Sequence, residues 1–417
     1  MPTWRACVAL ALGATWMGCG DSDKGKQDDP TQSDAAVPNV PVSTASFGFV
    51  AVEPIEEDGS NTGVGAAPNL VERYDEVLNA LPMLQQAKVS IHFMLQAHKI
   101  MDPAKLDAAF SLIEKANASG LTVYPVPVLS ADEGYFPNAT NVETFVPVVQ
   151  ALVAKYKERG LTPTTMVVDM EPPRELIDAL GSLDLGKAVP KDHIDRARYA
   201  QGVAAYAALA DELHAAGWKV AVTTQASLLA DYRDEDDDLR QYFNVVLDEV
   251  PWDQVDFQLY RSAYSSQAPG LGSHFVYDFA RTAKQQFPNA AVGVGLGLTH
   301  PGPVFPETST LSNSDALTND VEAAVAAGIA REHITVYNLK GILLGPPKCD
   351  KVLSCEESEY KYEANDPAAW FVQASDPKPP SDDLPTKALW EQLDLMDGLL
   401  DASEDSQAGG ILPNLDL

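Results

Sequence analysis

Two carboxylates stand close together at the end of an apolar run, in the segment Thr164–Pro173. If this run is a β-strand, Asp169 and Glu171 project from the same face, because side chains alternate along a strand. Two acids on one face at the tip of a buried strand are costly unless a ligand or a partner uses them. The prolines Pro172 and Pro173 then end the strand, since proline cannot donate to a ladder. The pattern favours proton transfer by a carboxyl group.

Such acids need a scaffold that brings strand ends together, and apolar runs rich in β-formers alternate with helical patterns along the whole chain. We expect eight strands, at Ser46–Pro54, Lys88–Ala97, Leu121–Ser130, Thr164–Pro173, Trp218–Ser227, Gln254–Tyr264, Ala290–Thr299 and His333–Ile342. The alternation implies parallel strands with right-handed crossovers. An α/β fold of the (β/α)8 TIM barrel type, with enlarged βα-loops, fits eight such units. An open doubly wound sheet is the alternative, and the lack of a glycine-rich phosphate loop after the first strand disfavours it.

Helix boundaries are marked by capping residues. Asp102 precedes Pro103, which predicts the start of a helix there. Four helices are expected to end at glycines, namely Gly120, Gly160, Gly217 and Gly328. Besides the helix that follows Asp102, helices are expected near residues 70–86, 142–159, 196–216, 276–287, 316–327 and 384–400, with a short one ending near Val250.

The charge balance limits the possible partners. The chain of 417 residues has 60 acidic against 29 basic side chains, a net charge of −31. A surface this acidic argues against nucleic acid and against electrostatic docking onto anionic lipid. With 45% apolar residues the chain is able to bury one large core or two ordinary ones.

The N-terminus has the features of a bacterial lipoprotein signal. A short apolar run follows Arg5 and ends at Gly18-Cys19, after which the sequence becomes polar. The run is too short to span a bilayer, so we expect cleavage and lipid attachment at Cys19. An ordinary secretory signal with a chance cysteine is the alternative. We therefore predict a signal peptide at 1–18, a disordered tether at 19–44, a barrel at 45–400, a loose tail at 401–417, and a location in the cell envelope.

The two remaining cysteines that survive signal cleavage, Cys349 and Cys355, lie close together in an exported chain, which predicts one disulfide. A metal site has weaker support. The acidic run Asp234–Asp238 has the chemistry for calcium, but acids before a helix are also favoured by its dipole. His98 and His300 are able to start a metal site with Asp169, although no His-x-His pair supports one. We expect no metal and no cofactor.

In a barrel of this type the working face lies at the C-terminal ends of the strands. Besides Asp169, Glu171 and Tyr260, the polar residues expected there to contact a substrate are Glu53, Gln96, Gln225, Gln258, Arg261, Tyr337 and Asn338. His92, inside an apolar strand, is expected to be a packed side chain. A structural pairing of the two acids with Arg261 or Lys340 is the alternative to a functional role.

The fourth strand resembles the signature of family-18 glycoside hydrolases, the chitinase-like barrels, whose strand ends in Asp-x-Asp-x-Glu. Here the segment reads Val-Val-Asp-Met-Glu, so that Asp169 and Glu171 match and Val167 replaces the first acid. That family also has Met-x-Tyr-Asp on its sixth strand. The corresponding residues here are Gln-Leu-Tyr-Arg, so that Tyr260 matches and Arg261 replaces the aspartate.

The resemblance implies a catalytic scheme. Glu171 would donate a proton to the leaving oxygen, Asp169 would orient a substrate N-acetyl group whose carbonyl attacks, and Tyr260 would hydrogen-bond that carbonyl. Tyr337 occupies the region of the family's tryptophan on the eighth strand. If an ordinary pair of acids operates instead, Glu53 is the reserve second carboxylate.

Three hypotheses follow for the function. The first is an exported, lipid-anchored glycoside hydrolase whose partner is a carbohydrate substrate. The second is a non-catalytic protein that binds a glycan or another partner, motivated by Val167 and Arg261 at positions where the family has acids. The third is a metal-dependent hydrolase, which would require a stoichiometric ion in the purified protein.

Overall fold

The computed structural model describes residues 48–51, 78–85, 88–173, 176, 194–234, 236–262, 264, 270–297, 314–337, 339, 377 and 379–394, all within one compact unit spanning Thr44–Leu412. The predicted signal peptide, tether and tail lie outside these ranges, and so do Cys19, Glu53, His300, Asn338, Lys340, Cys349 and Cys355. The side chain of His98 is also outside the description.

Each of the eight predicted strand segments contains a strand, and all eight strands belong to one sheet. The strands are β1 (Gly48–Ala51), β2 (Ser90–Gln96), β3 (Val123–Val128), β4 (Thr165–Asp169), β5 (Lys219–Gln225), β6 (Gln254–Gln258), β7 (Ala291–Gly297) and β8 (Ile334–Tyr337). Their order is β3-β2-β1-β8-β7-β6-β5-β4, and every hydrogen-bonded pair in it is parallel. The carboxyl ends of all the strands therefore lie along one edge.

The two strands at the ends of this order, β3 and β4, also lie side by side. The Thr164 hydroxyl, just before β4, donates a 3.0 Å hydrogen bond to the carbonyl oxygen of Val123. Val126 and Val128 of β3 share a small buried cluster with Val167 of β4. A separate, larger cluster lies between the sheet and the helices, so the smaller cluster occupies the concave side of the sheet.

Helices follow the strands along the chain. They are α1 (residues 78–85), α2 (Ala97–Ile100), α3 (Pro103–Ala118), α4 (Val142–Glu158), α5 (Arg196–Ala215), α6 (Asp231–Asp234), α7 (Asp238–Phe243), α8 (Ser273–Gln286), α9 (Ser314–Ala326) and α10 (residues 384–394). None of the helices within the described residues is long and apolar enough to cross a membrane.

The predicted helix boundaries are largely confirmed. The Asp102 carboxylate accepts a hydrogen bond from the Ala104 backbone at 3.0 Å, as expected of a cap. The glycines at the predicted helix ends all have left-handed backbone conformations. One boundary was wrong: α7 ends at Phe243 and not near Val250, because Asn244 takes the left-handed conformation and ends the helix.

The ladders of β4 and β6 end earlier than the sequence predicts, but the alternation of side chains continues past them. The Met170 backbone donates to the Thr223 carbonyl at 2.8 Å, and the Leu259 backbone donates to the Gly295 carbonyl at 2.7 Å. Met170 and Leu259 are fully buried in the larger core on the outer side. Their neighbours in the chain are consequently directed to the inner side.

Two glycines in β7 make room for side chains of β6. A Cβ atom on Gly293 would lie 2.1 Å from the Asp256 carboxylate and 2.6 Å from the carbonyl oxygen of His333. A Cβ atom on Gly295 would lie 3.1 Å from the ring of Tyr260. Glycine inside a strand often marks such a close approach, and here it opens space for an acid and a phenol.

Candidate active site

A cavity of about 50 Å³ lies at the carboxyl ends of the strands, and it is lined by both predicted acids. Asp169 is the last residue of β4, and Glu171 follows beyond the outward-facing Met170. The Sδ atom of Met170 accepts a hydrogen bond from the Val246 backbone at 3.0 Å, which fixes the peptide between the acids. The two carboxylates thus share one face, and both are buried, with exposed fractions of 9% and 3%.

One amide group joins the two acids. The Nε2 atom of Gln258, at the end of β6, donates to Asp169 Oδ1 at 3.0 Å and to Glu171 Oε1 at 2.7 Å. These two oxygens are at most about 5.7 Å apart, the sum of the two distances, because both bind the same nitrogen. The arrangement brings residues of β4 and β6 into a single site.

Two tyrosine rings form one wall of the cavity, and they come from β6 and β8, the strands on either side of β7. Tyr260 lies beyond Gln258 on β6, and its ring is 5.6 Å from that of Tyr337 on β8. Burial raises the pKa of the Tyr260 phenol well above 10, and the charges of Asp169 and other neighbours add to the effect. Tyr260 is therefore a protonated phenol near neutral pH, able to donate a hydrogen bond toward a ligand oxygen.

The loop after β3 supplies a second aromatic wall through Tyr135 and Phe136, whose rings meet edge to face at 4.7 Å. Tyr135 has a left-handed backbone with φ of 59°, which is uncommon for an aromatic residue. Backbone hydrogen bonds join Tyr135 to Leu129 at 2.8 Å and to Ser130 at 3.1 Å. Strained positions of this kind concentrate at functional sites because the surrounding structure has to hold them.

Asn138 connects this loop to Glu171. It is fully buried, and its side-chain amide donates to the Phe136 carbonyl at 3.2 Å and to the Glu171 carbonyl at 3.3 Å. Its own backbone carbonyl accepts from the hydroxyl of Tyr206 on α5 at 3.2 Å. The peptide of Glu171, which precedes two prolines, is thereby held by a neighbouring loop.

The inner side of the cavity is polar. His92 of β2 and Asp256 of β6 both line it and both are buried. Burial lowers the pKa of His92 to about 4, so the imidazole is neutral near pH 7, and its ring meets Tyr124 edge to face at 5.1 Å. Asp256 accepts a 2.7 Å hydrogen bond from the Gln254 side chain.

The pKa values of both buried aspartates, Asp169 and Asp256, are raised. Burial, followed by the negative charge of Glu171, raises the pKa of Asp169 well above its ordinary value, while the hydrogen bond from Gln258 opposes the rise. Burial raises the pKa of Asp256 to about 7 against the hydrogen bonds it accepts. The site can therefore keep a carboxyl proton near neutral pH, which is what a general acid requires.

The structure brings together five of the residues predicted from the sequence: Asp169, Glu171, Gln258, Tyr260 and Tyr337. Gln96, Gln225 and Arg261 are not among the described residues that line the cavity. Gln96 is buried at the end of β2, where its Oε1 meets no hydrogen-bond partner among the described residues, and Gln225 is half-buried at the end of β5.

Arg261 points away from the acids. Its Nε donates to both carboxylate oxygens of Asp320 on α9 at 2.8 Å, and its two terminal nitrogens donate to the carbonyls of Leu271 and Ala316. The alternative pairing of Asp169 and Glu171 with Arg261 is therefore not what the structure shows. Arg261 joins the end of β6 to α8 and α9.

One group of acids within the described residues has the spacing to hold a metal ion. Ligand atoms of Asp231, Asp236 and Asp238 lie within 4.8 Å of one another. Asp231, however, already accepts hydrogen bonds from the Arg240 side chain at 2.8 Å and from two backbone N–H groups. The protein's own donors thus already engage Asp231, which precedes the predicted acidic run Asp234–Asp238.

Sequence reasoning missed Asp256, Tyr135, Phe136 and Asn138. Asp256 had a detectable signal, since Asp256, Gln258 and Tyr260 alternate on one face of β6 in the same way as Asp169 and Glu171 on β4. The other residues lie in a loop, where no periodicity reveals which way a side chain points.

No family model and no curated protein matches the chain. Among solved structures, the β-glucosidase from Thermotoga maritima in complex with glucoimidazole aligns with 78% of this chain and 96% of its own, with 14% identity and a TM-score of 0.52. The same enzyme in complex with methoxycarbonyl-substituted glucoimidazole gives 12% identity and a TM-score of 0.51, with the same coverage.

The family-18 chitinase from Pseudoalteromonas aurantia covers 72% of this chain and 96% of its own, at 10% identity and a TM-score of 0.41, which is too slight a likeness to single out its family. At these identities the comparisons describe the fold alone. The fold of this chain is similar to that of glycoside hydrolases of the TIM-barrel type.

Proposed function

We propose that this protein is a glycoside hydrolase built on a closed (β/α)8 barrel, with Glu171 as the general acid. The observation that supports this most directly is the pair of buried carboxylates, bridged by one amide, in a cavity with aromatic walls at the carboxyl ends of the strands. Sugar rings present apolar faces to aromatic side chains and hydroxyls to acids, so this lining suits a carbohydrate.

The proposed reaction begins with proton transfer from the Glu171 carboxyl group to the glycosidic oxygen, whose bond to the anomeric carbon then breaks. Following the family resemblance, the carbonyl of a substrate N-acetyl group attacks that carbon, with Asp169 orienting the group and Tyr260 donating a hydrogen bond to the carbonyl. Water then opens the cyclic intermediate, and Glu171 recovers its proton from the water. The net reaction consumes one water and yields two sugars.

The distance between the acids supports a mechanism of this kind. Enzymes that activate a water between two carboxyl groups hold them roughly 6.5–9.5 Å apart. The bridged oxygens here are closer, because both accept a hydrogen bond from Gln258. A pathway without a water between Asp169 and Glu171 is therefore favoured.

The test is a screen of the purified protein against chitin, peptidoglycan and chromogenic glycosides, with chromogenic β-glucosides included because of the structural likeness to β-glucosidases. Glu171→Gln should reduce turnover of any substrate found by about a thousandfold or more while leaving the fold intact. Glu158→Gln makes the same chemical change at an exposed position of α4 and serves as the matched control. Unchanged turnover in Glu171→Gln would overturn the proposal.

A second candidate is a protein that binds a glycan without cleaving it. Val167 lines the cavity at the position where the resembling family has an acid, and Arg261 is engaged with Asp320 outside the cavity. This candidate predicts saturable binding in the screen with no product from any bound glycan. Product formation that depends on Glu171 would exclude it.

We also propose that the protein is exported and held at the cell envelope by lipid on Cys19, with carbohydrate as its partner in solution or in the wall. The lipoprotein-like sequence around Gly18-Cys19 supports this proposal. The net negative charge is consistent with it, because a protein this acidic has no electrostatic attraction to anionic lipid and would need a covalent anchor. Cys19→Ser should move the protein from the membrane fraction to the soluble fraction. Membrane retention in that variant would contradict lipid anchoring.

A further inference from the structure

The Gln258 amide has an unusual position between two acids. It is buried, and its one nitrogen faces a carboxylate oxygen on either side. A side-chain NH₂ group has two hydrogens. Each hydrogen therefore serves one acid, and the distances of 3.0 and 2.7 Å are within the range of good hydrogen bonds.

This use of both hydrogens fixes the orientation of the amide. With the oxygen turned toward the acids, Gln258 would place three acceptors together, so the nitrogen has to face them. No donor of Gln258 then remains for a sugar hydroxyl. The amide nitrogen thus serves Asp169 and Glu171, and the carbonyl oxygen of Gln258 is the atom left for the substrate contact that the sequence predicts.

We propose that Gln258 is a positioning residue, whose amide nitrogen holds the carboxylates of Asp169 and Glu171 together so that they titrate as one electrostatically coupled pair. Two strands contribute to this pair: Asp169 ends β4 and Glu171 lies just beyond it, while Gln258 ends β6, two strands away in the sheet.

The bridge opposes two other effects at the pair. Burial and the charge of Glu171 raise the pKa of Asp169, and the hydrogen bond from Gln258 lowers it. Removing the donor while keeping the bulk should therefore raise the pKa values at which the pair titrates. The groups that face the pair from the packed elements are His92, Tyr135, Asp256, Tyr260, Tyr264 and Tyr337.

Gln258→Met removes both donors with little change in volume. The matched control is Gln254→Met on the same strand, because Gln254 makes a similar hydrogen bond to Asp256 at 2.7 Å and none to the pair. The carboxyl carbons of wild type and both variants would be followed by ¹³C NMR as a function of pH. We expect Gln258→Met to move the titration of the pair upward by about one pH unit, and Gln254→Met to move only that of Asp256.

The proposal rests on the proposed function for one further readout, the pH profile of turnover. In Gln258→Met the whole bell-shaped profile should move to higher pH, in addition to a lower kcat, whereas a residue that only stabilises the fold would lower the profile without moving it. A shifted NMR titration in a protein without glycosidase activity would keep this inference and remove the proposed function. An unshifted titration in an active enzyme would keep the proposed function and remove this inference.

A measurement on the wild-type protein covers the case in which Gln258→Met does not fold. The side-chain ¹⁵N resonance of Gln258 should follow the titration of Asp169 and Glu171, while that of Gln254 follows Asp256. If the Gln258 resonance does not change with pH as those acids titrate, the bridge does not exist in solution and the proposal fails.

Discussion

Asp256 shows at the level of a single residue how burial changes chemistry. Its carboxyl group is 4% exposed, accepts one hydrogen bond from Gln254 and one from the Gly293 backbone, and still has its pKa raised from 3.8 to about 7. Two neutral donors do not compensate for the loss of water around a charge. A buried acid of this kind opposes folding whenever it has to ionise.

This gives a prediction on stability and pH. Between the unfolded pKa near 3.8 and the folded pKa near 7, the folded state holds more protons at Asp256, so its contribution to stability falls as pH rises. Asp256→Asn removes this dependence. The free energy of unfolding of the variant minus that of wild type should therefore increase between pH 4 and pH 8, by roughly 2–4 kcal/mol, in urea titrations.

The control for this prediction is Asp107→Asn. Hydrogen bonds from Lys155 and then from Arg159 lower the pKa of Asp107, whose side chain is 51% exposed to solvent. Its contribution to stability is lost as pH falls, so the same difference should not increase with pH. A difference for Asp256→Asn that is constant between pH 4 and pH 8 would contradict a buried, uncompensated acid.

Among the site residues, the sequence could predict those whose direction follows from the alternation of side chains along a strand. Strand alternation alone placed Asp169 and Glu171 on one face, because that rule depends only on the backbone. Arg261 could not be foreseen in the same way, since its direction is decided by Asp320, a residue on a helix far along the chain. The same limit applies to Asn138, whose partners are a loop carbonyl and the Glu171 carbonyl.

Among the elements, β7 shows why one strand of this sheet has so many residues without a side chain. Its sequence alternates glycines with valine and leucine, and the glycines meet Asp256 and Tyr260 of β6. Neither Gly293 nor Gly295 has a left-handed backbone conformation. Their requirement is therefore for space next to the site and not for conformational freedom.

Gly293→Ala should consequently destabilise the protein by about 3 kcal/mol, because the new methyl group collides with the Asp256 carboxylate and with the fixed backbone carbonyl of His333. In Gly295→Ala the nearest atoms to the new methyl group belong to the flexible side chain of Tyr260, at 3.1 Å from its ring and 3.2 Å from its hydroxyl, so the substitution should cost about 1 kcal/mol. Urea unfolding of both variants checks the order. If the two substitutions lower the free energy of unfolding equally, the contacts of Gly293 with Asp256 and His333 do not limit the space in β7 as described.

The existence and order of the strands were predictable, but their ends were not. Apolar composition continues past Asp169 and Gln258, so the sequence predicts longer strands than the ladders contain. Just beyond the two strands, the Met170 and Leu259 backbones still donate to a neighbouring strand, so pairing ends gradually and the composition of the segment does not mark the exact residue. The site lies in this short region, where alternation continues after pairing has stopped.

For the whole molecule, the proposed closed barrel depends on contact between β3 and β4. The sheet order places these strands at opposite ends, so only closure brings them together. The small cluster on the concave side joins Val126 of β3 to Val167 of β4. The cavity is also bounded by both residues, so closure determines whether a walled site exists.

A double-mutant cycle tests this contact directly. Val126→Ala and Val167→Ala each remove two methyl groups from the inner cluster, and their effects on the free energy of unfolding should be coupled by about 0.5–1 kcal/mol if the side chains touch. The control cycle combines Val126→Ala with Val321→Ala on α9, which belongs to the outer core and should be additive within about 0.3–0.5 kcal/mol. Additivity in both cycles would mean that β3 and β4 do not pack against each other, and a barrel open at this seam would leave the acids at an unwalled edge of the sheet.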